Sequence, residues 1–346
     1  MTQKLALLGF GTVGQGLAEI LLEKEKQLRE ETGFEAVIVA ISDVMKGSIY
    51  HPEGLDIAQA LKAVKEDGTL DAYPDTTGLI RGKDSFQTIK ETNAEAIVEV
   101  TFTDVKTGQP AIDHCKAAFE AGKHVVMSNK GPVALAFEEL SQLAKKNDVR
   151  WGFEGTVMSG TPALRMPLAA LAGNEITEIR GILNGTTNYI LTKMEEGLSF
   201  EEALKEAQDK GYAEADPTSD VEGYDARYKV VILAQKIMNT PLKVEDVSCQ
   251  GITHITKEDI EEAAKEGYRF KLLSKIKKEG SSIKATVAPE KVEATDPLAS
   301  VYGALNAVTF DCDLAGPITL TGAGAGRLET GYSLLIDLLN IYRNHL

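Results

Sequence analysis

The chain has 346 residues, of which 43% are hydrophobic and 26% charged, and its formal net charge is −15. This is the balance of a soluble globular protein long enough for two domains. The negative charge argues against nucleic acid or an anionic membrane as partner, and no apolar run approaches membrane-spanning length. The three cysteines, Cys115, Cys249 and Cys312, lack metal-ligand spacing, and their odd number fits a reducing, cytoplasmic compartment. The apolar start breaks at once into GFGTVGQG, so no signal peptide is expected.

Lys4–Leu8 is a short apolar run, which predicts a buried parallel strand. Gly9, Gly11 and Gly14 follow in the G-x-G-x-x-G pattern, and a helix starts by Gly16. Such glycines give a tight turn and let a pyrophosphate approach a helix N-terminus. A strand at Ala36–Ile41 ends at Ser42-Asp43. Asp43 is either a turn residue or the carboxylate that holds an adenosine ribose 2′-hydroxyl, whereas Lys46, three residues into the loop, would meet a 2′-phosphate. NAD and NADP both stay open.

Further strands are expected at Ala96–Val100 and His124–Met127, with a helix from about Pro110 to Ala121 between them. Each strand leads into a polar cluster: Thr101-Phe102-Thr103, then Ser128-Asn129-Lys130-Gly131-Pro132. Ligands in doubly wound sheets lie beyond the carboxyl ends of the strands, which puts Thr101 and Lys130 near cofactor and substrate or leaves Lys130 a merely solvated strand-end lysine. His114 and His124 read as ordinary helix and strand-start residues. From about Leu135 the pattern changes. A helix at Phe137–Lys146 precedes Glu154 and the loop Gly155–Pro162. A lone carboxylate before a glycine-containing loop reads as a capped loop or as a cation site built with backbone carbonyls.

A strand at Ile179–Leu183 then enters Asn184-Gly185-Thr186-Thr187-Asn188, a turn into a helix beginning near Tyr189. The stretch GYAEADPTSDVEGYDARYK at 211–229 holds Glu214, Asp216, Asp220, Glu222 and Asp225 around a proline turn. A helix is expected from Val221 or Glu222 to Met238, with Asp225 and Lys229 on one face. That pair is either a solvated i,i+4 pair or a proton-transfer lysine held by a carboxylate. Beyond it, a helix at Ile260–Tyr268 and strands at Phe270–Lys277, Ser282–Val287 and Ile318–Leu320 suggest a mixed sheet, and a final helix is expected at Tyr332–Asn344.

Several long motifs occurring in order resemble homoserine dehydrogenase: GILNGTTNYIL at 181–191, the stretch at 211–229, SNKGPVA at 128–134, EGTVMSGTP at 154–162 and GAGAG at 322–326. The resemblance covers nearly the whole chain. It implies an α/β protein with an N-terminal Rossmann-type doubly wound parallel sheet and an α+β substrate and dimerisation domain with a mixed sheet. The expected boundaries are 1–134, completed by 318–346, for the first domain and 135–317 for the second. It also implies the short form of the enzyme, without a regulatory C-terminal domain or fused aspartokinase, acting as a homodimer.

By the same resemblance, Lys229 matches the proton-transfer lysine and Lys130 a second active-site lysine near the nicotinamide. Glu214 and Asp225 match carboxylates that hold the homoserine ammonium; Tyr212, Asp220, Thr186 and Gly185 match the wall around it. Phe10, Thr12, Val13, Gly211 and Gly326 match cofactor contacts, while Gly9, Gly11, Gly14, Asp43, Lys46, Thr101 and Lys130 fall to the NAD(P) cofactor by their places in the glycine loop and at the strand ends. Glu154, with carbonyls of Val157, Ser159 and Thr161, matches a structural sodium site, although Met158-Ser159 departs from the more glycine-rich form of that loop. The implied reaction interconverts L-homoserine and L-aspartate 4-semialdehyde. The alternatives are an oxidoreductase of another small amino acid and a nucleotide-sensing protein without catalysis. A thiol-dependent semialdehyde dehydrogenase is disfavoured, because no cysteine falls at a strand-end nucleophile position.

Overall fold

The computed structural model describes residues 2–280 and 282–345. The chain divides into two compact units, residues 1–156 with 326–346 and residues 157–325.

In the first unit the strands are β1 (Gln3–Leu8), β2 (Ala36–Asp43), β3 (Gly47–Tyr50), β4 (Ile80–Arg81), β5 (Ala96–Glu99), β6 (His124–Met127) and β7 (Trp151–Gly152). They form a sheet in the order β4-β3-β2-β1-β5-β6-β7. Pairing is parallel from β2 through β7, and β3 and β4 add an antiparallel edge. The apolar runs of β1 and β5 are buried on both faces, as a parallel sheet covered by helices requires. Leu5, Leu7, Phe10, Leu17, Ile38 and Val98 share a core with Leu334 and Leu338 of the helix Arg327–Tyr342.

Two local expectations change here. The helix predicted from Phe137 begins at Lys130 and runs to Lys146, with a kink at Ala136 (φ −137°). Lys130 is therefore the first residue of a helix, fixed by helical geometry, and the cluster at 128–132 is loop only up to Asn129. Lys46 lies in a short hairpin connection between β2 and β3, and not in an extended loop: Asp43 pairs with Gly47, and the Lys46 carbonyl accepts from the Leu70 amide at 2.7 Å.

The second unit holds β8 (Ile176–Ile182), β9 (Ser248–Cys249), β10 (Tyr268–Glu279), β11 (Ser282–Glu293), β12 (Leu305–Cys312) and β13 (Gly316–Ala323) in the order β13-β12-β8-β10-β11-β9. β9 pairs parallel to β11 and the other neighbours pair antiparallel, so the sheet is mixed. Ile182, Leu273, Leu298 and Ala307 pack together on it. The units meet at 156/157 and 325/326, later than the pattern change at Leu135 and the strand start near Ile318. Residues 135–156 stay with the first unit because β7 extends its sheet, and β13 stays with the second because it pairs along β12.

The helix expected from Val221 to Met238 is two. Thr218–Val221 makes a single turn, and Tyr224–Lys236 follows after Gly223. Gly223 sits at φ 80°, a left-handed conformation that interrupts the helical path and that glycine adopts without strain.

Candidate active site

In the second unit the site is built where β8 ends. Leu183 and Asn184 leave the strand, and Asn184 caps the helix Gly185–Glu195, its side chain accepting from the Thr187 amide at 2.9 Å. Lys229 lies on the helix Tyr224–Lys236 and its side chain is only 8% exposed. Its Nζ donates to the Leu183 carbonyl at 2.5 Å and to Asp225 Oδ2 at 2.6 Å. The i,i+4 spacing read from the sequence thus yields a nearly buried pair and not a solvated one. Ile232 and Leu233, one turn on, are fully buried, which fixes that face of the helix inward.

Asn184 joins the carboxylates. Its Nδ2 donates to Asp220 Oδ1 at 2.7 Å and to Asp225 Oδ2 at 3.0 Å. Burial, and then the nearby Asp225 charge, push the Asp220 carboxyl above its ordinary value; the bond from Asn184 and the Lys229 charge pull the other way. Lys229, Asp225, Asp220 and Asn184 therefore form one hydrogen-bonded unit with a lysine able to donate and carboxylates able to hold a cation. Sequence reasoning took Asn184 only as one donor of a turn that could grip a small polar substrate and did not single it out. Its signal was the capping position directly after a strand, which the turn reading absorbed.

Around this unit, Thr186 Oγ1 donates to the Tyr212 carbonyl at 2.6 Å. The Tyr212 ring, 46% exposed, packs on Tyr189 with centroids 4.9 Å apart. A Cβ at Gly185 would lie 2.6 Å from the Ala304 carbonyl, so only glycine starts that helix without a clash. Gly211 takes φ 74° at the end of the preceding helix. Glu214 is exposed, and its carboxylate makes no hydrogen bond or ion pair among the described residues. It is not drawn into the Lys229 cluster. Asp216 accepts from the amide and hydroxyl of Thr218, a local cap that holds its carboxyl below the usual range.

In the first unit the glycine loop fits a dinucleotide. A Cβ at Gly9 would lie 2.6 Å from the Val100 carbonyl, and one at Gly14 would lie 2.6 Å from the Gly9 carbonyl. A Cβ at Gly11 would meet nothing within 4 Å, which leaves open space at the start of the 21-residue helix Thr12–Thr32. Gly11 offers no side-chain cap, so the first amides of that helix are available to an anion. Thr12 is exposed at this end, whereas Val13 packs partly into the core.

Asp43 is tied into the same loop. Its Oδ2 accepts from the Phe10 amide at 2.7 Å, and its Oδ1 accepts from the Met45 and Lys46 amides at 2.9 Å each. It is a turn residue and a loop anchor at once, with acceptor capacity left for a ribose hydroxyl. Thr101 is turned inward: its amide and hydroxyl donate to Glu99 Oε1 at 2.9 and 2.5 Å. His114, expected to be unremarkable, is buried against Glu99 Oε2 at 2.5 Å. Gly326, at φ 146°, precedes the helix Arg327–Tyr342.

Glu154 is 4% exposed and its amide donates to Asp337 Oδ2 at 2.9 Å. In the second unit Met158 and Ser159 sit at φ 58° and 53°. Both positions demand a left-handed backbone, which explains why glycine suits this loop and shows that Met and Ser adopt the same path. Val157 and Ser159 are buried, and the Thr161 carbonyl accepts from the Ala163 amide at 2.7 Å. Burial pushes all three cysteine thiols above their ordinary values, so no reactive thiolate is on offer.

A family model described as homoserine dehydrogenase matches residues 162–339, and one described as the homoserine dehydrogenase NAD binding domain matches residues 9–154. An NAD(+)-dependent homoserine dehydrogenase of Pseudomonas canavaninivorans is 45% identical over 99% of this chain and 96% of its own length. A homoserine dehydrogenase of Methanocaldococcus jannaschii is 43% identical over 98% of each chain. Among solved structures, a hyperthermophilic archaeal homoserine dehydrogenase in complex with NADPH superposes with a TM-score of 0.85 at 30% identity, covering 99% of this chain and 98% of that one. A homoserine dehydrogenase from Thiobacillus denitrificans gives 0.85 at 33% identity, covering 100% of this chain and 74% of that one. With two matching models that together take in most of the sequence, and relatives alike from end to end, the chain belongs to the homoserine dehydrogenase family of NAD(P)-dependent oxidoreductases.

Proposed function

We propose that the protein interconverts L-homoserine and L-aspartate 4-semialdehyde with Lys229 as the proton-transfer group. The observation that carries this reading is the nearly buried Lys229, held at 2.6 Å by Asp225 and at 2.5 Å by the Leu183 carbonyl. When bound, the nicotinamide supplies or takes the hydride. In the reducing direction Lys229 protonates the developing alkoxide, directly or through water, and Lys130 adds positive charge near that oxygen. Asp225 and Glu214 hold the substrate ammonium, with Asp220, Thr186, Gly185 and Tyr212 shaping the surroundings. Glu214 would reach the ammonium from its exposed position once substrate is present.

Gly9–Gly14 would hold the cofactor's pyrophosphate, Asp43 its ribose and Lys46 any 2′-phosphate, and Thr101, Gly211 and Gly326 would add further contacts. NAD is usable because Asp43 is fixed at the strand end, and NADP is tolerated through Lys46. A sodium ion held by Glu154 and the carbonyls of Val157, Ser159 and Thr161 belongs to the same proposal, supported by the oxygen donor set and the left-handed turn at Met158-Ser159. So do a homodimer, a cytoplasmic location and a place in threonine and methionine biosynthesis. Among the described residues no helix is long and apolar enough to cross a membrane.

The test follows NAD(P)H absorbance with L-homoserine as substrate, comparing NAD and NADP. Turnover dependent on homoserine supports the reading. Cofactor binding without turnover rejects it in favour of a sensing protein.

A further inference from the structure

The buried carboxylate of Glu99 has no part in the chemistry proposed above, yet it is fully buried at the carboxyl end of β5. Burying a carboxylate is strongly unfavourable unless its oxygens are well supplied with donors. Here they are. Oε1 accepts from the Thr101 amide at 2.9 Å, the Thr101 hydroxyl at 2.5 Å and Asn129 Nδ2 at 3.0 Å; Oε2 meets His114 Nδ1 at 2.5 Å. A glutamine keeps the acceptor toward Thr101 and Asn129 and can donate to His114 Nδ1 in one tautomer, so it takes a truncation such as alanine to remove the set.

Asn129 is the second half of the argument. It occupies the N-cap position of the helix Lys130–Lys146, where asparagine ordinarily accepts from a helix amide. Its side chain makes no such bond. Instead Nδ2 donates to Glu99 Oε1 at 3.0 Å and to the Thr101 carbonyl at 3.1 Å. One buried carboxylate thus ties together the loops that leave two adjacent parallel strands, β5 and β6. The next residue in the chain is Lys130. His114 closes the arrangement from the helix Ala111–Glu120, and the Phe86 ring packs edge-on against it at 5.2 Å.

We infer that Glu99 is a positioning residue for the dehydrogenation, clamping Asn129 and Thr101 so that Lys130 enters its helix at a fixed place. The inference rests on the reading of Lys130 as an active-site lysine. Misplacement of a reacting group by about 1 Å can slow an enzyme on the order of 10²-fold, so the clamp need move Lys130 only slightly to be felt.

The experiment compares Glu99→Ala, Asn129→Ala, Lys130→Ala and the double variant Glu99→Ala/Lys130→Ala. It measures kcat and both KM values at saturating cosubstrate, NADH affinity by fluorescence, and Tm. Glu99→Ala and Asn129→Ala are each expected to lower kcat by roughly 10–100-fold. NADH affinity and the homoserine KM should stay within about twofold, and the double variant should be no slower than Lys130→Ala alone. A purely structural Glu99 would lower Tm and leave kcat of the folded enzyme near wild type, which overturns the inference. A slow Lys130→Ala with a multiplicative further loss in the double variant overturns it too, while sparing the Lys130 reading. Near-normal turnover of Lys130→Ala rejects that reading and the clamp with it. Should Glu99→Ala fail to fold, Asn129→Ala carries the test, because it opens the clamp and leaves the Glu99–His114 contact in place.

Discussion

Replacing Lys229 by alanine removes the ion-pair partner of Asp225 and, on the proposed role, a proton donor. The catalytic loss is that of a placed proton donor, about 10²–10⁴-fold in kcat, which is roughly 3–5 kcal/mol of barrier. The structural loss comes from stranding Asp225. Breaking a buried ion pair costs about 3–5 kcal/mol. Asp225 keeps its bond from Asn184 and is 16% exposed, which places this pair at the low end. A loss of about 3 kcal/mol lowers Tm by roughly 6–12 °C in a unit of this size. The double variant Asp225→Asn/Lys229→Met removes the stranded charge and should recover most of that Tm. It should recover none of the turnover. The assay is steady-state NAD(P)H absorbance well below each variant's Tm, beside thermal unfolding followed by circular dichroism. Near-normal kcat in folded Lys229→Ala, or turnover that returns with Tm in the double variant, refutes the assigned role.

Asp225→Asn alone should raise the homoserine KM as well as lower kcat, and an unchanged KM counts against its contact with the ammonium. Asp220 is raised above its ordinary value by burial and by Asp225, so the folded state is the one that binds the proton more readily. Its ionisation therefore opposes folding as pH rises above the ordinary carboxylate range. Asp220→Asn should raise Tm at neutral pH and leave it unchanged below that range, where both proteins are neutral at this position; a lower Tm at neutral pH would show that the negative charge stabilises. Glu154→Ala should make thermal stability insensitive to sodium while the wild type responds, and an equal response in both proteins removes Glu154 from the site. Asp43→Ser should shift the ratio of kcat/KM toward NADP and Lys46→Ala toward NAD; because Asp43 also anchors the Phe10 amide, its variant should raise KM for both cofactors. No change in the ratio for either variant means that other residues build the adenosine site.

The sequence by itself determined the elements with strong local signals. Apolar runs marked β1, β5 and β6, glycine spacing marked the turn into the first helix, and Asp225 and Lys229 shared a face because 3.6 residues make a turn. The short strands β3, β4 and β7 were not legible, since GSIY, IR and WG carry no sustained apolar run and are held in place by their neighbours. The expected single helix ran straight through Gly223, and only its φ of 80° shows the break there.

The site divided in the same way. Residue types and order along the chain were enough to single out Lys229, Lys130, Asp225 and the glycine loop. Whether Asp225 and Lys229 formed a solvated pair or a buried one depended on what packs over them, and that is a property of the strand β8 and the residues Leu183 and Asn184 that leave it. Glu99 and His114 carry the same lesson. They are 15 residues apart, on a strand and a helix with no shared period, and no local pattern joins them. Parallel strands are brought side by side through long crossovers, so the meeting of Glu99, Thr101, His114 and Asn129 is decided only when the sheet closes. Local chemistry and periodicity are written in short stretches of chain; burial and long-range partners exist only once the tertiary structure has excluded the water between them.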